Sequence, residues 1–143
     1  MVTIDKSVSI ARTPQEVFDY ISDPANDAAW ISGSESSEWI TDPPHGVGSR
    51  QRSVQRFLGR RLESEVEITN WEPPDQMAAK FSKPFPGEFT TRLVAQGDGT
   101  ELQLSGQIEV GGYFRIAEGL LSMQLDRTME TDLNALKLIL EAG

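Results

Sequence analysis

The chain has 143 residues, with 13 Lys and Arg against 22 Asp and Glu for a net charge of −9, and it contains no cysteine. That composition excludes disulfide scaffolds, thiolate metal sites and cysteine catalysis, and it disfavours partners rich in phosphate, so no nucleic-acid binding is expected. With 38% hydrophobic residues, six Phe and three Trp, one domain over 1–143 can bury a core without covalent staples.

The opening residues, MVTIDKSVSI, lack the basic flank and apolar run of a signal peptide. No apolar stretch approaches the ~20 residues that span a bilayer, so a cytoplasmic protein without integral membrane association is expected.

Residues 2–10 alternate, with Val2, Ile4, Val8 and Ile10 on one side and Lys6 interrupting it, which predicts a half-buried strand. Thr13-Pro14-Gln15-Glu16 predicts a helix start: Thr13 and Glu16 form a capping box, and Pro14 sits where its missing N–H costs nothing. Asp23-Pro24 repeats the signal, so a second short helix runs to Trp30, which anchors the pair.

Six strands follow, at 34–41, 48–58, 61–71, 76–83, 88–96 and 100–110, separated by Pro- and Gly-rich turns. Asp98-Gly99 is the strongest hairpin signal, as a type I′ turn needs positive φ at both central residues. In 61–71, Leu62, Ser64, Val66 and Ile68 share one face, and Glu63, Glu65 and Glu67 the other. One apolar and one wet face define an antiparallel meander.

Beyond Gly111-Gly112 the period becomes helical. Leu121, Leu125, Met129, Leu133, Leu136 and Leu140 form one broad stripe. Counted from Phe114 to Glu141 this helix is ~42 Å long, against ~36 Å for strand 61–71, so it can lie along the sheet. Gly119, in its interior, predicts a kink.

The order strand, two short helices, six strands and long helix resembles the SRPBCC superfamily, the START/Bet v 1-like helix-grip fold, and within it the polyketide cyclase/dehydrase-like group. The carriers are the run Pro14 to Pro24, Trp30, Gly46-Val47-Gly48-Ser49-Arg50, Asn70-Trp71-Glu72-Pro73-Pro74, Gly97 to Leu102, and Asp132-Leu133 to Leu140. The resemblance covers nearly the whole chain. It implies an α+β fold, a curved seven-stranded antiparallel sheet around a C-terminal helix, with an internal cavity for a hydrophobic or amphipathic molecule: lipid, aromatic or polyketide-like.

Which residues would meet such a guest depends on the phase of strand 48–58. If Arg50, Arg52 and Arg56 face solvent, then Ser49, Gln51, Ser53, Gln55 and Phe57 face inward. Inward polar groups need partners, so Gln51, Ser53 and Gln55 are expected to meet a polar part of a ligand or ordered water. The opposite phase, favoured by Val54 and Leu58, buries three Arg, and a bulge would switch phase mid-strand. A partial edge strand wet on both faces is the alternative. Met77, Phe81, Phe89, Thr91, Leu121, Leu125 and Met129 complete the expected lining, with Ala79, Leu93 and Met123 as further core positions.

Five Arg within twelve residues (50, 52, 56, 60 and 61) are read as cross-strand partners of the neighbouring Glu rather than as an anion patch. His45 is read as a solvent-exposed turn residue, and a lone His makes no multi-His metal site. Asp132 falls inside the apolar stripe. It is either an acid/base group reaching the cavity or, as preferred, a structural carboxylate bonded to backbone or to an Arg. No nucleophile elbow, phosphate loop or zinc-protease motif is present, and no metal or cofactor is expected.

The leading expectation is therefore a carrier of a hydrophobic small molecule. The alternative is an aromatase/cyclase, for which Asp132 or the Arg50 and Arg52 pair are the catalytic candidates. A protein-interaction module using the acidic outer sheet face ranks last. Tyr20 and Tyr113, at element ends, supply no evident pocket hydroxyl.

Overall fold

The structure is a computed structural model and describes residues 1–57, 59–83, 85–111 and 117–143, with the Phe57 side chain excluded. Strand β1 (Val2–Ile10) leads into α1 (Pro14–Ile21), a 3-10 turn (Pro24–Asn26) and α2 (Asp27–Trp30). Six strands follow: β2 (Ser34–Trp39), β3 (Arg50–Phe57), β4 (Arg60–Glu72), β5 (Gln76–Phe81), β6 (Gly87–Gln96) and β7 (Gly99–Ile108). Helix α3 (Glu118–Ala142) closes the chain.

The start of α1 follows from its sequence. Thr13 Oγ1 accepts from the Glu16 amide at 3.2 Å, and the Glu16 carboxylate accepts from the Thr13 amide at 3.3 Å. Such a cap contributes about 1 kcal/mol. Asp23 accepts from the Ala25 amide at 3.0 Å and starts the 3-10 turn, so the second short helix is split into that turn and the single turn of α2.

The sheet is antiparallel and curved, in the order β1-β7-β6-β5-β4-β3-β2, the helix-grip arrangement. β3 and β4 pair without a register shift from Arg50↔Glu67 to Phe57↔Arg60, so no bulge switches the phase of β3 against β4. The final hairpin differs from expectation by one residue. Gln96 pairs with Gly99, which makes Gly97 and Asp98 the central residues, and Gly97 carries φ 59°. Gly99 is required for another reason: a Cβ there would lie 2.6 Å from the Ile10 carbonyl oxygen.

Two clusters fix α3 to one side of the sheet. Ile10, Val17, Phe18, Ile21, Leu93, Leu102, Leu133 and Leu136 form the first. Val2, Ile4 and Ile108 form the second, with Leu125 and Met129 packed on them. The interrupting Lys6 lies 2.9 Å from Asp126 and 3.7 Å from Glu130, so it joins β1 to α3. Arg12 donates to the Leu140 carbonyl at 2.7 Å, a cationic cap where the helix dipole is negative.

Several sequence expectations are corrected here. Gly119 stands in the first turn of α3, where no interior kink arises. Phe114, the expected helix start, and Tyr113 and Leu58 lie outside the described residues. Met123 is 55% exposed rather than core. His45 is half-buried, its ring stacked on Trp39 at 3.7 Å between centroids, with Nε2 3.1 Å from the Thr41 carbonyl. The flat apolar face of Trp39 offers that loop histidine a surface that a Pro/Gly turn alone does not reveal.

Candidate functional site

Because α3 packs chiefly over β1, and the short helices cover one end, the inward faces of β3, β4 and β5 are left partly uncovered. Two adjoining chambers occupy that space. The first is about 180 Å³ and the second about 250 Å³. They share Trp30, Ile31, Val66, Phe89, Leu104 and Leu133, so they are two lobes of one cavity. Together they reach the lower part of the roughly 300–1,000 Å³ range of small-molecule sites.

The first chamber adds Ile21, Asp27, Gln51, Ile68, Met77, Ala78, Ala79, Thr91 and Leu102. The second adds Ser53, Gln55, Ser64, Phe81, Lys83, Met129 and Asp132. Exposed Lys83 marks where the second chamber approaches the surface.

Gln51, Ser53 and Gln55 therefore project inward while Arg50, Arg52 and Arg56 are exposed. The energetic reason is direct: amide and hydroxyl groups are cheaper to desolvate than guanidinium groups. Met77, Phe89 and Thr91 line the first chamber, and Phe81, Phe89 and Met129 the second.

Two expectations are corrected: the catalytic candidacy of Arg50 and Arg52, and the lining role of Leu121 and Leu125. Arg50 lies 3.4 Å from Glu65 and Arg52 3.2 Å from Glu38, both in exposed pairs on the outer face, away from any cavity chemistry. Arg56 and Arg61 both reach Glu35 on β2, at 2.7 and 3.1 Å, so the cluster pairs to both neighbouring strands. Leu121 and Leu125 do not line either chamber. The chambers meet α3 at Met129, Asp132 and Leu133, and Leu125 is instead used to pack on Val2, Ile4 and Ile108. The Phe57 side chain lies outside the described residues.

Asp132 is 2% exposed. Its Oδ1 accepts from the Ser32 hydroxyl and, at 3.1 Å, from the Ser32 amide, so it ties α3 to the loop after α2. Burial raises its pKa above the ordinary carboxylate value, against the two Ser32 hydrogen bonds. The residue is thus hydrogen-bonded to the Ser32 backbone and hydroxyl and also lines the second chamber.

Sequence reasoning missed Asp27. This half-buried carboxylate lines the first chamber. Burial pushes its pKa up to about 6, the nearby Asp23 charge adds to that, and a hydrogen bond from Ser37 opposes it. A carboxyl that titrates near neutral pH beside an apolar chamber can donate or accept a proton there. Ser64 was also missed. It is 5% exposed, and its Oγ has no hydrogen-bond partner among the described residues. Its signal was present as the single polar member of the inward row Leu62, Ser64, Val66, Ile68. Trp30, expected only as an anchor, places in the shared wall a buried Nε1 that also lacks a partner among the described residues. Among the described residues, no group of three or more His, Asp or Glu side chains is placed to hold a metal ion.

Comparison with known proteins agrees with this architecture. The sequence model of the family described as polyketide cyclase / dehydrase and lipid transport matches residues 1–141. An uncharacterized protein of Mycobacterium tuberculosis is 24% identical over 114 residues, 78% of each chain. Another from the same organism is 30% identical over 88 residues, 62% of this chain and 48% of that protein. Among solved structures, a START superfamily protein from Mycobacterium smegmatis superposes with a TM-score of 0.81 at 18% identity, covering 98% of this chain and 97% of that one. A conserved protein from Geobacillus kaustophilus gives 0.80 at 17% identity, covering 97% and 95%. At these identities the structural likeness speaks to the fold. No helix among the described residues is long and apolar enough to cross a membrane.

Proposed function

The chain belongs to the polyketide cyclase/dehydrase and lipid-transport family, and from that premise we propose that it binds a hydrophobic or amphipathic small molecule between the sheet and α3. The observation that supports this most is the two-lobed cavity, whose shared wall of Trp30, Ile31, Val66, Phe89, Leu104 and Leu133 is almost wholly apolar. Burying roughly 200 Å² of apolar guest surface there provides about 5 kcal/mol at 25 cal/mol per Å², before the cost of immobilising the guest. The reading includes a cytoplasmic location, which the cysteine-free sequence supports.

Native mass spectrometry of the protein as purified tests it. A bound lipid or aromatic mass, lost on denaturation, is the expected result. A protein that is empty as purified, and stays empty after incubation with lipid and aromatic extracts, contradicts it.

A second reading, cyclisation or dehydration of a polyketide-like chain, draws support from Asp27 in one lobe and Asp132 in the other. A shaped chamber supplies proximity, and one carboxyl near its pKa supplies proton transfer. Turnover of a poly-β-ketone mimic that falls in Asp27→Asn favours this reading, and absence of turnover removes it.

A further inference from the structure

The cavity wall is not uniformly apolar, and its polar atoms fall in a pattern. Ser37 pairs with Ser53 across β2 and β3, and Ser53 pairs with Ser64 across β3 and β4. Paired residues share a face, so three hydroxyls run in a transverse row on the inner surface. At one end of the row the hydroxyls have partners. Ser37 and Ser53 are 3.5 Å apart, and Ser37 also bonds Asp27. At the other end Ser64 Oγ is buried in the second chamber with no partner among the described residues. Trp30 Nε1, a pure donor in the wall of the same chamber, is likewise buried without a partner among the described residues. Buried polar atoms are nearly always satisfied, so each such exception calls for an explanation.

We propose that Ser64 is the hydrogen-bonding subsite of the second chamber, and that it takes a neutral oxygen, a hydroxyl or a ketone, carried by an otherwise apolar guest. The proposal rests on the guest-binding reading and narrows it to a chemical class. A hydroxyl or ketone oxygen accepts from Ser64, and the Trp30 N–H in the same chamber's lining offers a second donor to an oxygen on the same molecule. A carboxylate guest fits this chamber poorly. It brings its charge next to Asp132 and away from water. The cation Lys83 is exposed at the rim, so a carboxylate drawn to it leaves Ser64 unpaired.

Three molecules with the same bicyclic body, 2-naphthol, naphthalene and 2-naphthoate, separate these cases by calorimetric or NMR titration of the full chain. The wild type is expected to bind 2-naphthol about three- to tenfold more tightly than naphthalene, the range of one net hydrogen bond. In Ser64→Ala that preference disappears or reverses. Equal binding of naphthol and naphthalene to the wild type overturns the proposal, and that comparison needs no variant to fold. Retention of the preference in Ser64→Ala overturns it too. So does tightest binding of 2-naphthoate that is lost in Lys83→Ala. Failure of all three molecules to bind removes the guest-binding reading itself, whereas binding without a preference removes only the subsite.

Discussion

Replacing Asp27 by Asn should stabilise the protein, and the gain should depend on pH in a defined way. With a pKa of about 6 in the folded chain against 3.8 for the free side chain, the folded state holds this proton more tightly than the unfolded state. Stability carried by the group is therefore full below pH 3.8 and is lost as pH rises through 6. At 1.36 kcal/mol per unit, ionising Asp27 in the native chamber costs about 3 kcal/mol by pH 8. Asn keeps an acceptor for Ser37 and removes the charge. Urea unfolding of both proteins should show Asp27→Asn gaining about 1–3 kcal/mol on the wild type between pH 4 and pH 8. At roughly 4 °C per kcal/mol for a chain of this length, the melting temperature should rise by up to ~10 °C at pH 8. Other carboxylates titrate in both proteins, so they cancel in the difference. A difference that stays flat from pH 4 to 8, or a variant less stable at pH 8, would refute the burial argument for Asp27.

Five further substitutions, at four positions, separate packing from polar tethering. Asp132→Ala leaves the Ser32 amide without its acceptor and should lower the unfolding free energy by about 1–3 kcal/mol. Asp132→Asn, which keeps the acceptor, should recover most of that loss, and equal losses in both variants would show that the tether is unimportant. Leu136 is fully buried while Leu138 is 70% exposed. Leu136→Ala should cost about 2–5 kcal/mol in chemical denaturation and Leu138→Ala less than about 0.5. Gly106 pairs with Phe89, and a Cβ there would lie 2.3 Å from the Phe89 ring and 2.5 Å from the Glu88 carbonyl. Gly106→Ala should therefore destabilise the sheet and displace Phe89 from the wall of both chambers, seen as reduced uptake of naphthalene by the folded variant.

Much of the framework is local chemistry and can be read along the chain. The capping box of Thr13 and Glu16 and the alternation in β4 each depend on residues close in sequence. Desolvation cost favours the inward direction of Gln51, Ser53 and Gln55, because the opposite phase buries guanidinium groups. Val54 on that opposite phase is buried as well, so the sequence alone leaves the phase open. What could not be read depends on distance in the fold. The stripe on α3 tells which face is apolar but not where the sheet curves away, so it does not separate Leu121 and Leu125 from the cavity, which begins only near Met129. The carboxylate of Asp27 sits in a one-turn helix with no sequence mark, and its environment is assembled from strands far along the chain. Ser64 was visible as a polar interruption of an apolar row. Its unpartnered state exists only once Ser53 and the Trp30 side of the chamber are in place.

The claim beneath all of this is that an apolar guest enters the space between β3–β5 and α3. Methyl-resolved NMR of the intact chain during titration with naphthalene tests it most directly. Saturable shifts should appear on Val66, Leu104 and Leu133, which line both lobes, with none on the exposed Val94 and Leu138. Unperturbed cavity methyls, or shifts confined to the exposed ones and growing without saturation, would contradict the account.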